Sequence, residues 1–273
     1  MVTLFEQDIK TNDRQSSKGN QLKWENDGIW YKADYAGYEG LAEYMISNLL
    51  QKSSLLPEEY AVYQTEQIRY KDVVYTGCAS RNFLRDSWQI ITLERLYKNV
   101  TNKSLTQAVW TIRDVRARFQ FLVSETERIT GLKRFDIYLN KLFTIDAFFL
   151  NEDRHLHNIA VLMNDKGEFR YSPVFDNGAG LLSDITMDYP LSGDVYQLMD
   201  SVRAKTVSPG FDEQLDVSEE AAGHNLGFYF QKQDVLRLLQ EADAYPEAYS
   251  NRVRDILFWQ MKKYRYLFGE KEE

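Results

Sequence analysis

A long apolar stripe that runs straight into a polar cluster constrains this chain more than any other feature of its sequence. Apolar residues recur at helical spacing from Phe135 to Phe149 and predict a well-packed helix. The octet NEDRHLHN at 151–158 follows this helix and combines acids, histidines, an arginine and asparagines. Such an octet is either a solvated loop after a helix or a site of chemistry.

A hairpin signature follows the octet. The apolar run 159–163 and the run 168–171 flank AsnAspLysGly, which is typical of a tight turn between strands. The chain then continues to Asp176. The octet and Asp176 therefore lie at opposite ends of one short hairpin, and we expect them to meet in space.

Three side chains around this hairpin suit phosphoryl transfer. Asp153 could accept the proton of a substrate hydroxyl, while Asn158 and Asp176 could ligate Mg²⁺ through oxygen. Mg²⁺ needs few protein ligands when ATP supplies phosphate oxygens. Asp176 also has an alternative interpretation, because AspAsnGly at 176–178 is common turn chemistry.

The N-terminal segment supplies groups that such a site still lacks. SerSerLysGlyAsnGln at 16–21 predicts a turn whose backbone N–H groups could cover phosphates. Lys32 lies on a predicted strand and could reach the phosphates, held by an ion pair with Glu43 on the next helix. Glu39 is the rival partner on the same helix face. Without a partner, Lys32 would be an ordinary surface lysine.

Strand-like patterns are frequent in the first part of the chain, and helical patterns dominate after residue 97. Short β-like runs lie at 21–24, 29–33, 60–63 and 73–76, and helical patterns lie at 40–50, 86–97, 234–241 and 250–268. The first two runs flank GluAsnAspGly and predict a hairpin. The last helix carries an apolar stripe that Phe258 and Trp259 are expected to widen. The pattern indicates an α+β fold.

Several motifs in order resemble one protein family. They are GNQLK at 19–23, YKAD at 31–34, NEDRHLHN at 151–158, FDNG at 175–178 and AKTVSPGFDEQ at 204–214. This set resembles the HipA-like, CtkA-type serine/threonine protein kinases. The resemblance implies a two-lobed protein-kinase-like fold, with an N-lobe at 1–82 built from an antiparallel sheet and one helix, and a mainly helical C-lobe at 83–273. It also implies transfer of the ATP γ-phosphate to serine or threonine of a protein.

The resemblance assigns roles by position. It implies that Asp153 is the catalytic base, with His155 beside it, and that Asn158 and Asp176 bind Mg²⁺. The residues implied for ATP are Gly19, Asn20 and Gln21 of the phosphate loop, Lys32 with Glu43, and Cys78 near the adenine at 78–82. Ser16 matches a position of autophosphorylation in the family. Only fifteen residues precede Ser16, fewer than the extra N-terminal domain of the larger toxin-type relatives, so toxin activity and a regulatory or antitoxin-like partner stay open.

Some of these residues have alternative interpretations. His155 and His157 could form a metal pair, but the chain contains only 3 histidines, and zinc sites usually need more protein ligands. Bracing of the loop by Arg154 and His155 is the favoured interpretation, with His157 partly exposed. Asp146 is either a solvated acid or a buried carboxylate that holds the loop. Cys78 also suits a buried apolar position.

Composition narrows the function classes. A net charge of -8 argues against a general nucleic-acid binder, and no apolar segment is long enough to span a membrane. The single cysteine and the absence of a signal-peptide pattern favour a cytoplasmic location. A protein substrate is expected. The alternatives are a phosphoinositide or other small-molecule kinase, against which the acidic residues after Asp176 argue, and a nucleotide-binding module without activity.

Overall fold

Residues 1–10, 21–85 and 87–269 are described by a computed structural model of the chain. They fall into two compact units, each assembled from distant segments. The first unit comprises the described parts of 1–83, 175–202 and 227–273, and the second comprises those of 84–174 and 203–226. The division into functional lobes at residue 82 stays a prediction.

The described strands and helices have the following bounds. The strands are β1 Val2–Leu4, β2 Lys23–Asn26, β3 Ile29–Ala33, β4 Tyr63–Tyr70, β5 Val73–Arg81, β6 Trp88–Thr92, β7 Ala160–Asn164 and β8 Phe169–Tyr171. The helices are α1 Glu39–Leu50, α2 Leu93–Thr101, α3 Leu105–Thr111, α4 Val115–Thr130, α5 Phe135–Phe149, α6 Val195–Ser201, α7 Phe211–Ala222, α8 Lys232–Glu241 and α9 Glu247–Lys263. The α+β class is confirmed.

A five-stranded sheet in the order β1-β4-β5-β3-β2 dominates the first unit. The predicted hairpin is present as β2 and β3, with Asp27 and Gly28 both at positive φ in the turn. Gly77 on β5 is required by close packing, since a Cβ there would lie 2.0 Å from the Lys32 carbonyl oxygen. Helix α1 packs on β4 and β5.

Strand β4 was only partly predicted. The expected strand at 60–63 begins instead at Tyr63 and continues to Tyr70. Its sequence QTEQ is polar because one face of the sheet is exposed there, while Ile68 and Tyr70 fill the core with Trp24. Apolar periodicity therefore marked only the start of the strand.

The second unit places helices around a three-stranded sheet ordered β6-β7-β8. The hairpin predicted after the octet is confirmed as β7 and β8. The helix predicted at 86–97 is wrong in its first part, because 88–92 forms β6 and pairs with β7. The β-branched and aromatic residues of this stretch favour a strand, and Thr92 then caps α2 by accepting the Arg95 N–H.

The C-terminal helix is shorter than predicted. Helix α9 ends at Lys263 and a 3-10 turn follows at Arg265–Leu267. Val253, Ile256 and Leu257 are fully buried as expected. Trp259 does not extend this buried stripe, because its side chain is 45% exposed and packs against the Tyr196 ring. In the described ranges no helix is both long and apolar enough to cross a membrane.

Candidate active site

Lys32 lies at the centre of a buried cluster of charges in the first unit. Strand β3 places it opposite Cys78 of β5, and its Nζ is 2.6 Å from Glu43 Oε1 and 2.7 Å from Asp176 Oδ1. The side chain of Glu43 is only 1% exposed. The structure therefore pairs Lys32 with Glu43 and Asp176 together, and its role in binding ATP stays a prediction.

Glu39, the rival partner, has a different task. Its carboxylate accepts the backbone N–H groups of Ala36 and Gly37, at 2.7 and 3.1 Å, in the turn that precedes α1. It thereby satisfies donors that have no partner within the helix. Between the two candidates, the structure selects Glu43 as the partner of Lys32.

The charges in this cluster reinforce one another. Burial lowers the pKa of Lys32, but the carboxylates of Asp176 and Glu43 outweigh burial and hold that pKa well above its ordinary value. The ammonium also lies 5.1 Å from the centre of the Tyr63 ring. Lys32 therefore keeps its positive charge throughout the physiological pH range.

Glu43 also holds the main chain beside Asp176. Its Oε2 accepts the Asn177 N–H at 2.9 Å. Asp176 itself adopts a left-handed conformation with φ of 60°, which aspartate tolerates better than most residues. We call Lys32, Glu43, Asp176 and Asn177 the lysine cluster. One helix residue thus fixes both the strand lysine and the segment that carries Asp176.

Cys78 lies behind this cluster. Its thiol is fully buried with Ala61 and Tyr63, and Phe83 and Phe175 pack against the same group. Burial raises the pKa of the Cys78 thiol, so the side chain behaves as a small apolar residue. The predicted contact of adenine with Cys78 and its neighbours stays a prediction.

The octet belongs to the second unit and leaves α5 through Leu150, whose φ is 55°. A buried ion pair fixes this octet. Arg154 Nε donates to both carboxylate oxygens of Asp146, each at 3.2 Å. Asn151 Nδ2 donates to the same carboxylate at 3.1 Å. Asp146 is therefore a buried acid, and the solvated interpretation is wrong. Burial raises its pKa to about 6, although Arg154 and Asn151 both act to lower it.

Asp153 is held mainly by Asn158. The Asn158 Nδ2 group donates to both the backbone oxygen and Oδ2 of Asp153, each at 2.9 Å. Asp153 Oδ1 lies 3.6 Å from His155 Nε2 and 4.0 Å from Lys205 Nζ. We call residues 151–158 the Asp153 loop. The arrangement brings Asp153, His155 and Asn158 together, whereas Asp176 belongs to the first unit, and the expected meeting of Asp153 with Asp176 stays a prediction.

The two histidines of the loop differ in exposure. His157 is exposed and donates its backbone N–H to His155 Nδ1 at 3.2 Å. Burial lowers the pKa of His155, and the nearby Lys205 adds to the decrease while Asp153 opposes it. Nowhere in the described ranges do three or more His, Cys, Asp or Glu side chains form a metal-binding group. Asn158 and Asp176 each carry a side-chain oxygen, and a hard cation such as Mg²⁺ takes its remaining ligands from water or phosphate oxygens.

Part of the predicted phosphate loop lies outside the described residues. Gly19, Asn20 and the possible autophosphorylation site Ser16 fall in the range 11–20, which the structure does not describe. Gln21 is described and lies just before β2. The roles of these residues stay predictions.

Four residues that the sequence did not single out complete the lysine cluster and the Asp153 loop. Asn177 and Tyr63 had no assigned role in the first unit, and Lys205 and Thr206 had none in the second. Thr206 Oγ1 donates to the Arg154 carbonyl oxygen and is fully buried. Lys205 and Thr206 lie in the motif AKTVSPGFDEQ, so the order of motifs carried a signal for them, although spacing alone did not indicate their neighbours.

Comparisons with known proteins identify the fold. No family model and no curated protein matches the sequence. The crystal structure of the Helicobacter pylori proinflammatory kinase CtkA matches with a TM-score of 0.62 at 12% identity, over 96% of this chain and 95% of that chain. This chain has the kinase-like fold of CtkA.

The CtkA likeness confirms the two-lobed kinase-like fold that the motifs implied. HipA of Shewanella oneidensis MR-1, solved with HipB and operator DNA, matches with a TM-score of 0.45 at 11% identity, over 94% of this chain and 66% of that chain. At these identities, the conclusion drawn from CtkA concerns the fold alone.

Proposed function

We propose that this chain is an ATP- and Mg²⁺-dependent kinase that phosphorylates serine or threonine of a protein. The observation that carries the proposal is the position of Lys32, whose Nζ contacts Glu43 of α1 and Asp176. Phosphoryl transfer in kinases uses a strand lysine paired with a helix glutamate, and an aspartate that binds the metal ion. The kinase-like fold shared with CtkA supports this proposal.

Each group has a task that its surroundings fit. Lys32 would bind ATP phosphates, since paired carboxylates keep it charged. Asp153 would orient the acceptor hydroxyl and take its proton as the new P–O bond forms. Asn158 fixes the Asp153 carboxylate through its nitrogen, which leaves its amide oxygen as the atom for a cation.

The residues present suit Mg²⁺ better than a metal with nitrogen or sulfur ligands. Asn158 and Asp176 offer an amide and a carboxylate, which are hard oxygen donors. When bound, Mg²⁺ would neutralise negative charge on the phosphate oxygens. Asn158 and Asp176 would hold this ion, while Lys32 and Asp153 act on the phosphates and on the hydroxyl.

The acidic segment after Asp176 favours a protein substrate over an anionic lipid, but less strongly than the sequence suggests. Asp184 is buried, and Asp194 caps α6 by accepting the N–H groups of Tyr196 and Gln197. Asp188 remains exposed. Repulsion of an anionic head group therefore rests on fewer acids than the sequence contains.

Transfer of label from γ-labelled ATP tests the proposal. The purified chain is incubated with Mg²⁺ and labelled ATP, alone and with a basic protein acceptor, beside the Asp153→Asn variant. Label on serine or threonine with the parent but not with the variant supports a protein kinase. Bound ATP without labelled protein would contradict the protein-kinase proposal and direct the same assay to phosphoinositides or small-molecule acceptors.

A further inference from the structure

The segment 203–210 is fixed firmly beside the Asp153 loop. Thr206 donates to the Arg154 carbonyl oxygen, and Arg118 Nη1 donates to the Val207 carbonyl oxygen at 2.9 Å. The Ala204 N–H donates to the Pro209 carbonyl oxygen at 3.0 Å. Thr206, Val207 and Ser208 are fully buried. The residues on both sides of Lys205 are therefore fixed by hydrogen bonds, so the backbone of Lys205 has a defined position.

The side chain of Lys205 contrasts with this fixed backbone. It is 44% exposed, and its Nζ lies 4.0 Å from Asp153 Oδ1, which is longer than a hydrogen bond. Arg154, which belongs to the Asp153 loop itself, is instead buried in its ion pair with Asp146. Lys205 is thus a cation placed next to Asp153 but not tightly bound by it.

We propose that Lys205 binds the γ-phosphate of ATP and stabilises the phosphoryl group during its transfer to the hydroxyl that Asp153 orients. This inference rests on the proposed kinase function. In the step, the bond from the γ-phosphorus to the ADP oxygen breaks and the bond to the hydroxyl oxygen forms. The hydroxyl proton passes to Asp153, and ADP leaves with the electron pair of the broken bond. Lys205 remains protonated throughout.

The need for such a cation follows from charge. A hydroxyl that donates to Asp153 brings the transferring phosphoryl group within a few ångströms of that carboxylate, and the two negative groups repel. A lysine ammonium is a compact charge with three donors on a flexible stem, so it can turn from Asp153 to a phosphate oxygen. Preorganised donors of this kind stabilise charge in the transition state.

The test compares nucleotides that differ in the γ-phosphate. Dissociation constants for Mg²⁺ with ADP and with the imido analogue of ATP are measured for the parent, Lys205→Met, Lys205→Arg and the control Lys166→Met. Lys166 is an exposed lysine in the turn between β7 and β8. We expect Lys205→Met to weaken binding of the ATP analogue roughly tenfold with unchanged ADP binding, to lower kcat on the order of 100-fold, and to be partly rescued by arginine. The control should match the parent.

The outcomes separate this inference from the proposed function. Equal weakening of both nucleotides, a change confined to the KM for the protein acceptor, or parent-like values for Lys205→Met would each overturn the role of Lys205. A γ-phosphate-dependent loss of affinity in a parent that transfers no label would support the role of Lys205 in binding and contradict the kinase proposal. A parent that binds neither nucleotide would overturn both.

Discussion

The lysine cluster and the Asp153 loop differ in which of their residues form ion pairs. In the lysine cluster, the groups proposed to act on ATP neutralise one another, because Lys32 shares its charge between Glu43 and Asp176. In the Asp153 loop, the buried ion pair joins Arg154 to Asp146, and neither residue is proposed to act on substrate. Asp153 itself is positioned by the neutral Asn158 amide.

In the Asp153 loop, the residue proposed for catalysis is therefore distinct from the residues that stabilise the fold. In the lysine cluster, the same residues are expected to do both. A change at Asp153 should alter the chemistry while the buried Arg154–Asp146 pair keeps the loop folded. A change in the lysine cluster should alter nucleotide binding and stability together, since ion pairs join Lys32 to Glu43 and Asp176, and Lys32 and Glu43 are buried. Charge-removing substitutions in each region test this contrast.

The largest expected effect is on the rate. Asp153→Asn should lower kcat by roughly 100-fold to 10,000-fold, because the amide cannot accept the hydroxyl proton. ATP affinity and the unfolding temperature should stay close to those of the parent, because the Arg154–Asp146 pair is intact. Steady-state kinetics with titration of ATP checks both points. Parent-like turnover would remove Asp153 from the proposed mechanism.

The second effect is on stability in the same region. Arg154→Met leaves the Asp146 carboxylate buried without its cation, and we expect a loss of about 3–5 kcal/mol in the free energy of unfolding. The double variant with Asp146→Leu removes both charges and should recover much of this loss. Urea unfolding of the two variants and the parent measures the difference. A double variant no more stable than the single one would show that the charge is not the cause.

The third effect is on the lysine cluster and should be smaller. Glu43→Gln removes one of two carboxylates from Lys32, while Asp176 remains, so we expect a loss of about 1–3 kcal/mol in stability and weaker ATP binding. Glu39→Gln is the matched variant on the same helix, and it should leave ATP affinity unchanged because the Glu39 carboxylate accepts the N–H groups of Ala36 and Gly37 in the preceding turn. Equal effects on ATP affinity would contradict the selection of Glu43.

How much the sequence predicted differs between the two regions. The hairpins and α5 were predictable because turn residues and periodicity are local signals. The partner of Lys32 was narrowed to Glu39 or Glu43 by helix spacing, but the choice depends on how α1 packs against β5, which is a tertiary property. The strand β6 was missed for the same reason, since its partner β7 lies far along the chain.

The Asp153 loop shows a further limit of sequence reasoning. Asp153, Asn158 and Arg154 are close in sequence, so their proximity was expected. Lys205 and Thr206 reach the loop from more than fifty residues away, and only the order of family motifs indicated that their segment matters. Contacts that depend on the return of a distant segment need the fold before they can be assigned.

A pH-dependent effect concerns the junction of the strand and the helix that carry Lys32 and Glu43. Asp34 follows β3 and accepts the Gly40 N–H of α1 at 2.5 Å. Burial raises the pKa of Asp34 to about 8, although hydrogen bonds from Gly40 and Tyr245 lower it. Because the folded-state pKa is raised, this group contributes stability that is complete below its unfolded pKa of about 4 and is lost as pH rises through about 8.

Asp34→Asn therefore tests the contact between β3, which carries Lys32, and α1, which carries Glu43. The amide cannot ionise, so the unfolding temperature of the variant should fall less than that of the parent between about pH 4 and about pH 8. Calorimetry of the parent and the variant across this range measures the slopes. Parallel slopes for Asp34→Asn and the parent would show that Asp34 stays ionised in the folded protein. The Gly40 N–H would then donate to a carboxylate and not to a protonated acid.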